Sequence, residues 1–562
     1  MPPFRHFAAA LLALLTVAPA VAQLPPPVAP PGNPLTVDKA NLGKLLFWDE
    51  QLSSTRTISC GTCHIPSAGG ADPRSLTSPL AIHPGVDGTF GNADDIFGSP
   101  GVPRNDVNGL YLFTTHFGLT EQPTDRRAMS TINAGYSDTL FWDGRAGDEF
   151  VDPVTMATIL PSGAALESQA LGPLTSDVEM GHVNRALSEV ITRIGEISPL
   201  DLSQDVPLAL LKWIDGRSYA ELFEAAFGSP GVTPPRVAMA IASYERTQFT
   251  DQTDWDTFLM TGGGFTPQQE RGNTIFVRER CNRCHAFELT SDNLFHYTGV
   301  RPHADDEGRF GVTGLEDDRG RMRTPSLRNL PLRAPYMHNG RFETIRDVVE
   351  FYNRGGDFDE VNKDGRVREL FLTEQEKDDL VHFLTTAFVD DRLINEEAPF
   401  DRPGLFTESG RLPQVSDTGG VAGSGGIVPR PVALEPAILG NPSFTVGLFD
   451  GLGGASATLV ISETDPGLTL PGAGDFAFET VTLQGTGPGG GFTSVSLNIP
   501  TNTGLEGKRH FGRWYVTDAG GGGAVAVSPV FEFTFWGGLG AIFVDDFESG
   551  DLSHWTAVVQ LP

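Results

Sequence analysis

Cys60-Gly61-Thr62-Cys63-His64 and Cys281-Asn282-Arg283-Cys284-His285 decide how this chain is read. Each is a Cys-x-x-Cys-His site, the attachment pattern of a c-type haem, in which two thiols bond to the haem vinyl groups and the adjacent imidazole is offered to the iron. The chain has four cysteines, all of them in these two sites, so none is left for a disulfide framework. Thioredoxin-like redox pairs and zinc half-sites are the alternatives. Zinc would call for pairs lying closer together, or for more cysteines beside them. Two covalently attached c-type haems are expected, with His64 and His285 as iron ligands.

Working outward, 562 residues are long for one domain and predict two or three. Met1 to Ala22 reads as a secretory signal: Arg5 and His6, an apolar run through Leu15, then small residues before Gln23. That run is short for a membrane span, and no later stretch qualifies. A periplasmic or secreted protein without a membrane span is expected, in keeping with haem attachment outside the cytoplasm. A formal charge of −31 argues against binding nucleic acid or anionic lipid. It would suit docking of a basic electron carrier, although solvation alone accounts for it.

Residues 23–36 form a proline-rich leader. Leu42, Leu45 and Leu46 then share one helical face ahead of the first haem site, and Trp48 suits packing in the haem pocket better than an electron relay. Asp87 to Asp95 gathers oxygen donors in a glycine-containing loop, a candidate calcium wrap that lacks the EF-hand spacing and also reads as a solvated loop. His83 and His116 are the imidazoles near the first haem, either of them a candidate sixth ligand or proton-transfer group. In Phe141-Trp142-Asp143-Gly144-Arg145 the Asp-Gly pair predicts a turn, and Arg145 could pair with a haem propionate or form an ordinary salt bridge. Glu167 could cap a helix or face the haem pocket as a proton-transfer carboxylate.

Helical patterns continue over 183–194, 207–227 and 236–249. Thr266-Pro267-Gln268-Gln269 starts a further helix that runs into the second haem site, and Thr373 to Glu376 starts the last. From residue 401 the composition changes. Residues 401–435 read as a linker, and 436–540 carry alternating β-prone runs at 444–449, 457–461, 478–483, 493–499, 524–527 and 530–535. A small β-sandwich is the economical architecture. Without clustered His or Cys it is read as an accessory domain, and its loss is expected to leave haem attachment intact. Residues 541–562 form a tail.

Several stretches taken in order resemble the bacterial di-haem cytochrome c peroxidase family, including its MauG-like branch. They are Leu42 through Ser53, Phe141 to Arg145, Leu166 to Ala170, Glu179-Met180, and Thr324 through Gly340, so that the resemblance covers roughly residues 38–395. It implies a mainly α fold of two cytochrome-c-like haem domains, at 37–235 and 236–400, ahead of the all-β region. The N-terminal haem would react with hydrogen peroxide. The C-terminal haem would receive electrons from a small c-type cytochrome or copper protein. By the same resemblance Glu167 is the distal-pocket acid. This chain has Leu140 where the family often carries glutamine, and an insertion separates Arg145 from Leu166. Fourteen residues after His338 the peroxidases place a methionine ligand and MauG a tyrosine; here that residue is Tyr352. Tyr352 as an axial ligand would lower the haem potential; otherwise it packs beside Phe351 while Met322, Met337 or another group binds iron. Tyr352 and Leu140 lean towards a MauG-like oxidase, against peroxidase as the family's common activity. A di-haem electron carrier without peroxide chemistry is the reading outside enzymes.

Overall fold

The computed structural model describes residues 24–286, 288–521 and 524–537. The expected signal peptide and C-terminal tail lie outside the described residues. A helical region comes first and a β-sheet region follows.

The helix Val37–Trp48 begins where the Thr36 side chain accepts a hydrogen bond from the Lys39 amide. From Leu42 to Trp48 it is buried on every side, not along one face. One side meets the helix Pro234–Glu245 so closely that a Cβ on Gly43 would lie 1.9 Å from the Ala240 carbonyl oxygen. Leu42, Leu46, Val237, Ile241 and Tyr244 belong to the same core, each large apolar side chain contributing about 1.5–3 kcal/mol on burial. The helix Pro234–Glu245 therefore packs with the elements around the first Cys-x-x-Cys-His turn. The expected helix over 207–227 is two helices, Leu208–Ile214 and Tyr219–Phe227, separated at Asp215 and Gly216, both of which take positive φ.

A second helical core gathers around Phe276, Val349, Phe351, Leu380, Phe383 and Phe388. The helix Pro267–Arg278 carries the predicted capping box at Thr266 and Gln269 and packs on the helix Glu374–Thr386 through Gly272. It ends just before Cys281, where Arg280 turns the chain at φ 65°.

The β region holds a three-stranded and a six-stranded sheet that share one apolar core, with Phe444 and Leu448 from one and Leu459, Trp514 and Phe531 from the other. All its strand pairs are antiparallel. The strand Arg509–Thr517, absent from the sequence reading, is central: it pairs with Ser456–Ser462 on one side and Phe531–Thr534 on the other.

Residues 401–435 are not a free linker. Asp401 pairs with Lys44 at 2.9 Å, and buried Glu50 accepts from the Phe406 amide at 2.5 Å and the Thr407 hydroxyl at 2.7 Å. Gln414–Val415 and Arg430–Ala433 are themselves strands. The β region is docked as well: Tyr111 donates to buried Glu435 at 3.0 Å, Thr445 to the Gly109 carbonyl at 2.8 Å, and Phe113 stacks on Phe492 at 4.2 Å.

Candidate di-haem site

Each Cys-x-x-Cys-His turn closes one end of a helical core and opens on a cavity. Ser59 and Thr62 form a capping box around the first turn, and Trp48 lies against Gly61, where a Cβ would meet its ring at 2.2 Å. Trp48 donates to the Tyr244 hydroxyl at 3.0 Å, which supports the packing reading. The His64 imidazole donates its Nδ1–H to the Gly70 carbonyl at 3.0 Å, and that of His285 to the Thr290 carbonyl at 3.1 Å. Burial lowers both imidazole pKa values. Burial therefore disfavours the charged form of each ring, and the neutral imidazole is the form that an iron ligand requires. Burial pushes the thiols of Cys63 and Cys281 up to about 12. An uncharged thioether in these places carries no cost of burying a charge.

The first cavity has a volume of about 450 Å³ and is walled by Cys60, Cys63, His64 and the segment 123–131. The second, about 230 Å³, is walled by Cys281, Cys284, His285, Tyr336 and Tyr352. Arg127, Met129, Ser130, Trp142 and Arg323 face both, so the cavities are neighbours across one layer of side chains.

That layer supplies the test of fit for haem. Arg127 and Arg323 are buried, as is Arg333 beside the second cavity, and none is in an ion pair among the described residues. The Nε of each lacks a hydrogen-bond partner. Burial pushes Arg127 down to about 9 and the other two to about 10. Buried cations without anions are costly, and the two carboxylates that a haem carries would meet that need. The residues fit two haems. The sequence reading missed these arginines, which carry no local signature beyond a basic residue among polar neighbours. It also missed His338, whose buried Nε2 lacks a hydrogen-bond partner in the second cavity and whose pKa burial lowers to about 4.

The residues singled out in the sequence divide between the cavities and other places. His83 lines the first cavity, its Nδ1 buried without a partner, while His116 is exposed and packs near Phe90. Leu140 is buried in the same wall and brings no hydrogen bond; the Gln169 amide lies in that wall too. Arg145 reaches the cavity but is half exposed, stacked on Phe141 and 3.0 Å from Asp143. Glu167 lines neither cavity. It is fully buried in a two-bond pair with Arg246, 2.8 Å for each bond, and accepts from Asn33 at 2.8 Å. Besides Asp125, the acids in the wall of the first cavity are Glu179 and Glu245. Burial raises both, Glu245 to about 8, and Glu245 Oε2 has no hydrogen-bond partner.

Tyr352, on the helix Ile345–Asn353, faces the second cavity together with Met322 and Met337, and burial raises its phenol pKa. In the Asp87–Asp95 loop the carboxylates turn onto its own backbone: Asp94 accepts from the Val86 and Asp87 amides, and Asp95 from Gly91. Its donors are not gathered for calcium. The one metal-like cluster among the described residues is Cys284, Asp292 and His296, at the edge of the second cavity.

The family described as di-haem cytochrome c peroxidase matches residues 37–263. The chain is 28% identical over 426 residues to cytochrome-c peroxidase IdrP1 of Denitromonas iodatirespirans, which covers 69% of this chain and 92% of that protein. It is a homologue of the bacterial di-haem cytochrome c peroxidases. The MauG-like branch is equally near: methylamine utilization protein MauG of Methylorubrum extorquens is 28% identical over 361 residues, 64% of this chain and 80% of that protein. A solved MauG-like protein associated with microbial copper homeostasis aligns at 25% identity and a TM-score of 0.48, over 70% of this chain and 98% of its own. Homology to this family makes the chain an oxidoreductase. No helix among the described residues is long and apolar enough to cross a membrane.

Proposed function

We propose that the chain is a periplasmic di-haem c-type peroxidase built on two cytochrome-c-like haem domains. It reduces hydrogen peroxide to water at the N-terminal site, with electrons taken from a small redox protein at the C-terminal site. The observation that carries this reading is the shared wall: Arg127, Trp142 and Arg323 face both cavities, so groups held by the two motifs stand side by side.

When bound, the haem irons supply the redox chemistry. The protein's part is attachment through Cys60, Cys63, Cys281 and Cys284, ligation through His64 and His285, and charge compensation by the three buried arginines. Proton transfer between the peroxide oxygens needs a carboxyl near neutral pKa facing the first cavity. Glu245 meets that description and Glu167 lines neither cavity, so we assign the proton to Glu245 Oε2, with Glu179 in the same wall. We assign the orientation of peroxide to Gln169, which lines the same cavity as Leu140. Glu167 holds Arg246 and Asn33 in place.

A MauG-like oxidase acting on a protein or organic substrate is the second reading, favoured by Tyr352 in the second cavity and Leu140 in the first. Electron paramagnetic resonance of the ferric protein, before and after peroxide, tests both. One high-spin and one low-spin haem, both changed by peroxide without prior reduction, supports the MauG-like reading. Two low-spin haems that consume peroxide only after half-reduction support the peroxidase. Two haems inert in either state would leave electron carriage.

A further inference from the structure

Lys39 lines neither haem cavity, and its surroundings are unusual for a lysine. It lies in the first turn of the helix Val37–Trp48 and is buried. Burial opposes a charged amine there, and so does the positive end of the helix macrodipole. Among the described residues its Nζ forms no ion pair. It donates to Asn33 Oδ1 at 3.0 Å and to the Pro34 carbonyl at 3.3 Å, with the Phe227 ring centre 5.2 Å away. Burial lowers the Lys39 pKa, against the pull of the Glu167 charge. Asn33 is wholly buried, and its amide has one orientation. Nδ2 donates to Glu167 Oε1 at 2.8 Å and to the Met239 carbonyl at 2.9 Å, with Ser243 Oγ at 3.5 Å. Acceptors on the nitrogen side leave Oδ1 to face Lys39, and the carbonyl carbon Cγ is one bond beyond it. The usual route by which an asparagine loses ammonia is closed here. That route needs the next backbone nitrogen to attack the side chain, and the next residue is Pro34, whose nitrogen has no hydrogen to give up. An amine, an amide carbonyl and a carboxylate thus stand together out of solvent.

We propose that Lys39 and Asn33 join in an isopeptide bond, formed by the folded chain itself with Glu167 as proton carrier. The lone pair of the Lys39 amine attacks Asn33 Cγ. The Nζ–Cγ bond forms, the Cγ–Nδ2 bond breaks, and Nδ2 leaves as ammonia. The one proton that Nζ sheds passes to Nδ2 through the Glu167 carboxylate, whose Oε1 already holds that nitrogen. No oxidant, reductant or metal takes part, so folding alone sets up the reaction. Groups fixed at contact distance are what make such an internal transfer fast. The product is a neutral amide, which removes the charge that burial and the helix end both oppose. It also ties the proline-rich leader to the start of the helix Val37–Trp48. The leader is held elsewhere by contacts such as the Tyr136 hydroxyl on the Pro25 carbonyl at 2.7 Å; this bond would fix its end covalently.

The test takes the full haem-loaded protein, denatures it, digests it with trypsin and reads the peptides by tandem mass spectrometry. Trypsin does not cut after an acylated lysine. The expected peptide therefore runs through Lys39 to Lys44 and is lighter than its sequence by one ammonia. Fragmentation should release no pieces broken between residues 33 and 39, because the ring holds them together. The same fragments separate this loss from cyclisation of a terminal glutamine at Gln23, which would leave Lys39 open to trypsin. The wild-type digest decides the bond without any variant: a peptide ending at Lys39, with residues 33–39 at full mass, would overturn the proposal. Lys39→Arg should restore both the cut after residue 39 and the full mass. In the folded fraction of Glu167→Gln, formation should slow about 10²-fold or more, so that the peptide ending at Lys39 dominates soon after synthesis. A bond formed as fast in that variant would overturn the role given to Glu167.

Discussion

Glu167 and Arg246 face each other through two parallel hydrogen bonds of 2.8 Å each, with both side chains almost wholly out of contact with solvent. Removing one member of such a pair leaves an uncompensated buried charge, at a cost of about 3–5 kcal/mol. Glu167→Gln and Arg246→Gln are each expected to lower the denaturant midpoint of the haem-loaded protein, and the double variant to recover part of the loss. Peroxide consumption per folded haem should fall little in Glu167→Gln and steeply, about 10²-fold or more, in Glu245→Gln. The opposite ranking would return the proton-transfer role to Glu167.

The reason Glu167 could not be placed from sequence is geometric. The helix Ala165–Ala170 has six residues, and Glu167 and Gln169 project about 200° apart around it. One of them faces the first cavity and the other does not. Which one does is decided by Arg246, at the C-terminal end of the helix Pro234–Glu245 packed behind it. The haem turns were legible because covalent attachment needs its residues adjacent. Tyr352 was reached through the family resemblance, which implies an axial ligand fourteen residues after His338, and the structure lines the second cavity with it. Arg127, Arg323 and Arg333 come from separated segments, so nothing local marks them. Arg509–Thr517 escaped because Gly512 and Arg513 interrupt its apolar alternation. Pairing explains the glycine: a Cβ there would enter the Phe531 ring at 2.1 Å.

Tyr352 tests the second reading of function. Burial raises its phenol pKa, so only a strong cation against the oxygen would hold it as tyrosinate. If that cation is the haem iron, Tyr352→Met should raise the midpoint potential of the C-terminal haem by about 60 mV or more, the one-electron equivalent of a tenfold change. Tyr352→Phe should abolish any tyrosinate-to-iron charge-transfer band. A potential unmoved in both variants would make Tyr352 a packing residue.

Truncation at residue 435 should leave both helical cores, and so both haems, in place. It would also uncover Leu119 and Phe113 and remove the Phe492 ring stacked on Phe113. Haem stain should persist in such a truncated chain while the thermal midpoint, followed at the Soret band, falls by several degrees. Loss of the haem stain would show that the β region is needed for maturation; an unchanged midpoint would show that its docked face contributes nothing.

Glu50 gives the clamp between helical and β regions a pH dependence of definite sign. Its carboxyl is buried, and burial raises its pKa from 4.5 to about 7, against hydrogen bonds from Thr407 and Phe406 that lower it. Between those two values the folded chain keeps a proton that the unfolded chain releases. Stability from this group is therefore full below pH 4.5, declines as pH rises towards 7, and is flat above. The whole change is on the order of 3 kcal/mol at most. Glu435, raised in the same direction by burial, adds a decline of the same sign. In Glu50→Gln the Glu50 part of the slope should vanish, so that wild type is the more stable protein at pH 5 and its advantage shrinks or reverses by pH 8. Thermal unfolding of both proteins across that range decides it. Parallel profiles would mean that Glu50 is ionised throughout and that the strap is held by its charge.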